Sequence, residues 1–261
     1  MTSIKISDKI SYIKASENPL SADVGIINVC GATWLYDVGN NEDIPKSLCG
    51  EYNVVLSHFH TDHIGNIDKI RAKDTYLSAT TYAHVHRGIV VGSDIFTDEI
   101  HIFPLPSSHA KGCLGFEVDG TYAFVGDALY CKAKDGGYAY NAQLLKDEIE
   151  VLKNLRSQYL LVSHHDGFIR EKDEVIAELD EIYKRREKNA AYIMIRLNLR
   201  KRKKVVYPFS RNKVLVFHKF KYSVLIGKHS VAGLAFKQLN VRQLKLMLKK
   251  PVIDKRVRIP S

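Results

Sequence analysis

The chain has 261 residues, 45% of them hydrophobic, and its formal net charge is +10. This length allows one large domain, or a domain with an appendage, and the hydrophobic content can bury a proper core. No apolar run approaches the ~18 residues that a membrane span requires, which excludes a transmembrane helix. The amino terminus lacks the apolar core and cleavage site of a signal peptide, so we expect a cytoplasmic protein.

The cysteines show no CxxC spacing, which argues against a structural zinc knuckle and against a redox motif. In a cytoplasmic protein we therefore expect free thiols. The four are Cys30, Cys49, Cys113 and Cys131.

The first ~50 residues favour strands and turns. Ile26–Val29 and Thr33–Tyr36 flank Gly31, which predicts a β-hairpin that opens one sheet. Asp37 follows the second strand.

Three imidazoles and a carboxylate occur within His58–His63, directly after the apolar run Asn53–Ser57. These ligand types suit zinc, iron or manganese. On a tight loop after a strand, alternate residues can point to one place, so His58 and His60 can hold one ion. Asp62 and His63 can hold a second ion nearby. The competing interpretation is a histidine-rich surface loop without a ligand role.

Three further apolar runs end at ligand-type residues, which weakens that competing interpretation. Ile102–Ser108 leads to His109, Tyr122–Gly126 leads to Asp127, and Tyr159–Ser163 leads to His164 and His165. A rigid sheet fixes ligands that are held at the ends of its strands.

Helices are predicted between these strands. Gly65–Lys73 favours a short helix, Asn141 can cap a helix that runs to about Ser157, and Glu171–Asn189 favours another. Interleaved strands and helices indicate a mixed α/β domain.

Charge divides the chain sharply near residue 189. Residues 189–261 hold 19 of the 39 basic residues but only one of the 29 acidic residues, Asp254. This segment either binds polyanions, or packs on the acidic body, or is a non-native sequence produced by a shifted reading frame. Within it, 213–217 and 222–226 favour a hairpin, and 238–250 favours a basic helix that Pro251 ends. Arg200–Lys204 is a candidate phosphate patch.

Together these pieces resemble the metallo-β-lactamase-fold hydrolase superfamily over residues 1–190. The matching pieces are Leu35–Gly39, His58–His63 with Gly65, His109 with Gly112, Gly126–Asp127 and His165. The resemblance implies an α/β domain of the αββα sandwich type, followed by a basic C-terminal segment at 191–261.

The resemblance also implies a ligand set for two divalent metal ions, with zinc favoured and iron or manganese as alternatives. His58, His60 and His109 would hold the first ion, and Asp62, His63 and His165 the second. We prefer His165 over His164, although a family member usually has Gly before this histidine. Asp127 would bridge both ions, with a hydroxide between them, and Asp62 would also orient that nucleophile. Asp37 resembles the family's early acidic residue, and we interpret it as a structural residue that anchors a turn near the site rather than as a ligand.

This ligand set resembles glyoxalase II more than true β-lactamases, which replace the third histidine of the motif or lack the bridging carboxylate. His60 argues against the redox di-iron flavoproteins, which tend to have Glu there. The resemblance thus implies a hydrolase of a small ester, thioester or lactone. The alternatives are a phosphodiesterase or nuclease whose basic tail binds nucleic acid, and a non-enzymatic metal-binding protein.

Overall fold

The computed structural model describes residues 2–135 and 137–195, together with the backbone of four strands between residues 205 and 230. The chain divides into two compact units, Met1–Arg196 and Leu197–Ser261. This division falls a few residues after the predicted boundary at 190. The reason is that Tyr192–Ile195 pairs with Gly137–Asn141 and so completes a sheet of the first unit.

The first unit contains eighteen strands among the described residues. They are β1 Ile4–Lys5, β2 Ile10–Ile13, β3 Ser16–Glu17, β4 Leu20–Ser21, β5 Val24–Val29, β6 Ala32–Tyr36, β7 Tyr52–Val55, β8 Ala72–Leu77, β9 Ile89–Val90, β10 Ile95–Phe96, β11 Ile100–Leu105, β12 Cys113–Val118, β13 Tyr122–Gly126, β14 Lys132–Lys134, β15 Gly137–Asn141, β16 Tyr159–Val162, β17 Ile169–Glu171 and β18 Tyr192–Ile195. The helices are α1 Asp43–Ser47, α2 Thr61–Ile64, α3 Ala79–Val85, α4 Ala142–Asn154 and α5 Lys172–Lys184, with a 3₁₀ turn at Ile67–Lys69.

Two large sheets dominate the first unit. One has the order β1-β2-β5-β6-β7-β8-β9, and the other has the order β10-β11-β12-β13-β16-β17. The predicted hairpin is confirmed, because β5 and β6 pair antiparallel with Ile27 opposite Trp34. The pairs β6-β7, β7-β8 and β13-β16 are parallel, and loops that leave their carboxyl ends carry most of the predicted ligands.

The two sheets pack face to face, and alternation along each strand decides which side chains lie between them. Val55 of β7, Phe124 of β13 and Leu161 of β16 belong to one buried cluster between the sheets. Their chain neighbours point the other way, as the period of two requires. A strand buried on both faces has apolar residues at every position, which explains the unbroken apolar runs in the sequence.

Helices cover the outer faces of both sheets. The six-stranded sheet packs against α4 and α5 through a cluster that includes Leu145, Ile149 and Leu179. The seven-stranded sheet packs against α1 and the 3₁₀ turn through Ile44 and Ile67. The layers are therefore helix, sheet, sheet, helix, and the predicted αββα sandwich is confirmed.

The helices differ from their predicted bounds for local reasons. Asn141 caps α4 as predicted, since its side chain accepts the amide hydrogens of Gln143 and Leu144. Helix α5 ends at Lys184, before the predicted Asn189, because its apolar stripe ends there and charged residues follow.

The helix predicted at Gly65–Lys73 is wrong in its bounds. The turn forms earlier, as α2, and a 3₁₀ turn follows it. The Asn66 side chain donates to the carbonyl oxygens of Val38 and Asn41, which fixes the chain between the two turns. The chain then enters β8 at Ala72.

In the second unit the structure describes the backbone of β19 Val205–Ser210, β20 Lys213–His218, β21 Lys221–Ile226 and β22 His229–Ser230. They form one sheet in that order. β20 and β21 pair antiparallel, which confirms the predicted hairpin. The predicted basic helix at 238–250 and the phosphate patch at 200–204 lie outside the described residues.

Candidate metal centre

Four loops at one edge of the sandwich form the candidate site. The first leaves β7 and stays extended as far as His60, whose φ of −67° and ψ of 141° place it at the N-cap of α2. Asp62 and His63 then lie in the single turn of α2. The other loops follow β11, β13 and β16. Because strand ends fix all four loops, residues far apart in sequence meet at one place.

Three histidines form the first group. His60 Nδ1 lies 2.9 Å from His58 Nε2 and 3.1 Å from His109 Nε2. Burial lowers the pKa of all three imidazoles below the ordinary 6.5, which favours their neutral forms. Three neutral imidazoles with nitrogen atoms directed at one point are the donor set that a divalent transition metal prefers.

Two carboxylates and two histidines form the second group: Asp62, His63, Asp127 and His164. His164 Nε2 lies 3.0 Å from Asp62 Oδ2. His63 Nε2 lies 3.7 Å from Asp62 Oδ2 and 3.4 Å from Asp127 Oδ2. This group mixes nitrogen and oxygen donors, unlike the first.

Asp127 lies between the two groups. Its Oδ2 atom is 3.4 Å from His63 Nε2 and also 3.4 Å from His109 Nε2. Gly126 immediately before it has a φ of +54°, and a Cβ atom there would lie 2.8 Å from Ser57 Cβ. Only glycine both adopts this conformation without strain and leaves room for the neighbouring loop.

Asp37 supports the site from behind, as the sequence analysis expects of a structural residue. It is fully buried, and its Oδ1 and Oδ2 atoms accept the amide hydrogen and the hydroxyl hydrogen of Ser57, both at 2.7 Å. Its Oδ2 also accepts from His63 Nδ1 at 2.7 Å. Ser57 Oγ lies 2.9 Å from His58 Nδ1.

These contacts assign tautomers to the two buried histidines. Because Asp37 and Ser57 accept at the Nδ1 positions, His63 and His58 carry their protons there. In the neutral form of each ring, Nε2 can then direct a lone pair into the site. Such support of a ligating imidazole by a carboxylate is typical of metal centres.

The second group favours positive charge. Burial lowers the pKa of His63, but Asp37 and Asp127 more than offset it and raise the pKa to about 10. Burial also lowers the pKa of His164, and the hydrogen bond to Asp62 raises it above the ordinary value. The neighbouring carboxyl groups thus favour the protonated forms of His63 and His164, and a bound cation would replace those protons.

Two buried atoms show that a metal ion fits the donors of this centre. His63 Nε2 and Asp127 Oδ1 are buried, yet neither has a hydrogen-bond partner among the residues that the structure describes. Leaving such atoms without a partner costs about 1–3 kcal/mol each. Both atoms belong to the groups described above, so a coordinated cation would satisfy them.

At the last histidine position, the structure differs from the preference stated from the sequence. His164, and not His165, joins Asp62, His63 and Asp127. His164 adopts a left-handed backbone conformation with a φ of +58°. His165 is outside both groups, and its Nδ1 atom is buried without a partner among the described residues. The other six predicted ligands are all brought together.

Other histidines near the motif have different surroundings. The ring of His84 stacks on Phe59 with 4.6 Å between centroids, beside the first group. His101 contacts Glu117 and Asp94, away from both groups. Cys113 packs in the core beneath α4, and burial raises the pKa of its thiol to about 12.

Sequence reasoning missed two residues that support the site. Ser57 precedes the motif directly, so its position was a usable signal. Asp23 accepts the amide hydrogen of His164 at 2.9 Å across 141 positions, and no local pattern indicates this contact.

Comparison with solved structures identifies this arrangement of layers. The DIM-1 metallo-β-lactamase aligns with 70% of this chain and 96% of its own length, at 13% identity and a TM-score of 0.53. The chain has the metallo-β-lactamase fold. A metallo-β-lactamase from Hirschia baltica covers 70% of this chain and 97% of its own, at 14% identity and a TM-score of 0.51.

A third solved structure with comparable similarity is a B3 metallo-β-lactamase with an active-site glutamic acid. It covers 72% of this chain and 92% of its own, at 12% identity and a TM-score of 0.52. No protein-family model and no curated protein matches the chain. At these identities the likeness establishes the fold, and the chemistry has to be argued from the site. Among the described residues, no helix has the length and apolar character that a membrane crossing requires.

Proposed function

We propose that this chain is a metal-dependent hydrolase that binds two divalent metal ions and acts on a small ester, thioester or lactone. The position of Asp127 carries this proposal. Its carboxylate lies at equal distance from a histidine of each group, which suits a bridging ligand between two ions.

The donors divide between the two ions by their positions. His58, His60 and His109 would hold the first ion, and Asp62, His63 and His164 the second, with Asp127 shared. Bound divalent ions would supply the Lewis acidity that lowers the pKa of a water molecule and polarises a carbonyl oxygen. Zinc suits this set of imidazole and carboxylate donors, and iron and manganese remain alternatives.

Exposure indicates the side from which a substrate enters. His58 and His63 are fully buried, whereas the side chains of Asp62, His109 and His164 are 16%, 20% and 23% exposed. The substrate would therefore meet these three side chains, with the buried histidines behind them.

Asp62 is the residue that we propose orients the nucleophile. Burial raises its pKa, but the hydrogen bond from His164 and the nearby His63 lower it below the ordinary 3.8. The carboxylate is thus ionised at neutral pH. One oxygen is held by His164, and a partly exposed carboxylate in this position can orient an attacking water molecule.

A phosphodiesterase or nuclease is the second candidate. The excess of Lys and Arg in residues 189–261 favours it, because basic segments bind polyanions and their binding weakens with salt. Cleavage of nucleic acid that depends on this segment and weakens with salt would support this candidate.

The test is metal analysis of the purified full chain, coupled to turnover of thioesters, lactones, aryl esters and phosphodiesters. We expect about two metal ions per chain, loss of activity on chelation, and recovery on adding zinc.

Asp127→Ala and His60→Ala should lower turnover at least ~100-fold, because they remove ligands themselves. His101→Gln, which alters a partly buried histidine elsewhere, should keep parental turnover. Parental rates in Asp127→Ala would overturn the proposed function.

A further inference from the structure

The segment Ser21–Asp23 lies against two of the loops that form the second group. The Ala22 amide donates to the carbonyl oxygen of Asp62 at 2.9 Å. The Asp23 carboxylate accepts the amide hydrogen of His164 through Oδ2 at 2.9 Å. One short segment therefore contacts the backbone of two residues of the second group.

Asp23 also contacts the loop that follows β16 through a side chain. Its own amide donates to Ser163 Oγ at 3.1 Å, and Ser163 Oγ donates to Asp23 Oδ2 at 3.3 Å. The Ser163 amide in turn donates to the carbonyl oxygen of Gly126 at 3.1 Å, next to Asp127. Asp23 is 5% exposed, so these bonds are largely shielded from water.

The other carboxylate oxygen fixes Asp23 itself. Oδ1 accepts the amide hydrogen of Ala15 at 2.9 Å. Both oxygens are thus used, one on the amino-terminal segment and one on the ligand loop. A buried carboxylate with hydrogen bonds to both oxygens has little freedom to move, so the loop that it contacts is fixed as well.

The backbone conformation of His164 needs such a contact. A left-handed φ is unfavourable for a residue other than glycine, so it persists where surrounding bonds hold it. His165 follows directly and is also an imidazole. Backbone conformation at this position therefore decides which of two adjacent rings faces Asp62.

We propose that Asp23 is a positioning residue that fixes the His164 backbone, directs the His164 ring into the second group and leaves His165 out of it. This inference rests on the proposed function for the identity of the ion. Asp23 contacts neither the side chains of the metal donors nor a substrate. Its effect is on binding of the second ion rather than the first.

The test compares Asp23→Ala and Asp23→Asn with a matched control, Glu117→Gln. Glu117 is also a buried carboxylate and accepts a backbone amide hydrogen, that of Ser157, at 2.6 Å. The chelator-stripped full chain is titrated with zinc against a competing chelator. We expect two binding steps in the parent and in Glu117→Gln. Asp23→Ala should keep the first step and weaken the second by about 10- to 100-fold. Asp23→Asn should fall between, because an amide keeps one acceptor oxygen.

Two further readouts separate positioning from general destabilisation. In a His164→Ala background, Asp23→Ala should weaken the second step no further, because the ring that it positions is gone. In the metal-free chain, the His164 amide should exchange with deuterium faster in Asp23→Ala than in the parent. Exchange at Ile27 in β5 should stay unchanged.

The outcomes are distinguishable from failure of the proposed function. A parental second step in folded Asp23→Ala, or unchanged exchange at His164, would overturn the role of Asp23. Two-step binding without turnover of any substrate would overturn the hydrolase proposal and leave the role of Asp23 standing. If the parent shows a single step, the metal role of Asp23 is also wrong.

Discussion

Two histidine–carboxylate pairs in this molecule have similar contacts at Nδ1 and differ at Nε2. The His63–Asp37 pair is fully buried, and the His101–Glu117 pair joins a partly buried histidine to a buried carboxylate. In both, the histidine Nδ1 faces a carboxylate, at 2.7 Å for His63 and Asp37 and at 3.4 Å for His101 and Glu117. In both, the carboxylate also accepts a backbone amide hydrogen, from Ser57 or from Ser157. The two pairs differ in the hydrogen-bond partners of the second ring nitrogen, Nε2.

His101 Nε2 has a partner, Asp94, at 3.1 Å. His63 Nε2 is buried with no hydrogen-bond partner in the described part of the chain. Burying a nitrogen without a hydrogen-bond partner is energetically unfavourable. The unpartnered Nε2 of His63 is therefore the atom that a bound ligand would satisfy. A histidine held by a carboxylate is therefore weak evidence for a metal centre until its second nitrogen is accounted for.

Position in the fold explains the difference. His101 lies directly opposite Glu117 in the β11-β12 pair, within the six-stranded sheet. Cross-strand neighbours there satisfy each other. His63 lies in the turn of α2, beyond the end of β7, where loops from both sheets meet. Its second nitrogen faces other loops, which supply further donors in place of a single partner.

The largest effect should come from exchanging each histidine for glutamine. His63→Gln removes a ligand, so we expect one metal ion per chain in place of two and a fall in turnover of at least ~100-fold. His101→Gln should keep both ions and parental turnover. Metal analysis and rate measurement on the two full-length variants check this. Equal metal loss in both variants would remove the distinction between the pairs.

Substitution of the carboxylates should distinguish the two pairs by a smaller effect than substitution of the histidines. Asp37→Asn keeps the shape but weakens the support of His63 and His58, so metal affinity should fall about 10- to 100-fold. Glu117→Gln should leave affinity unchanged. Zinc competition titrations measure both. An unaltered affinity in folded Asp37→Asn would show that the carboxylate serves stability alone.

The pair away from the site, His101 and Glu117, should instead affect how the free energy of unfolding depends on pH. Burial lowers the pKa of His101, but Glu117 and Asp94 raise it above the ordinary 6.5. Burial raises the pKa of Glu117, but His101 and the Ser157 amide lower it below the ordinary 4.5. The histidine contribution is present below pH 6.5 and is lost as pH rises through the raised pKa. The glutamate contribution is present above pH 4.5 and is lost as pH falls through the lowered pKa.

His101→Gln should therefore lower the free energy of unfolding by about 1 kcal/mol between pH 4.5 and 6.5, and by less in alkaline solution. Urea unfolding followed by Trp34 fluorescence reports on the first unit, because Trp34 is the sole tryptophan and packs between the sheets. A deficit that grows with rising pH would contradict this account.

Local pattern was enough for much of the fold and of the site. The apolar runs that end at His58 and Asp127 are strands with side chains buried on both faces, and such runs are visible in sequence. The run before His109 also forms a strand, with Pro104 exposed. Helix ends were less visible: the bonds of the Asn66 side chain join positions 25 and 28 residues apart. The assignment of His164 depends on one left-handed residue and on Asp23, which is remote in the chain. Adjacent histidines offer the same chemistry, so composition cannot separate them.

The most direct measurement is anomalous diffraction at the zinc edge from crystals of the full chain grown with zinc. The account predicts two peaks, one bounded by His58, His60 and His109, and one bounded by Asp62, His63 and His164, with Asp127 in contact with both. A single peak, or a second peak contacted by His165 in place of His164, would contradict it.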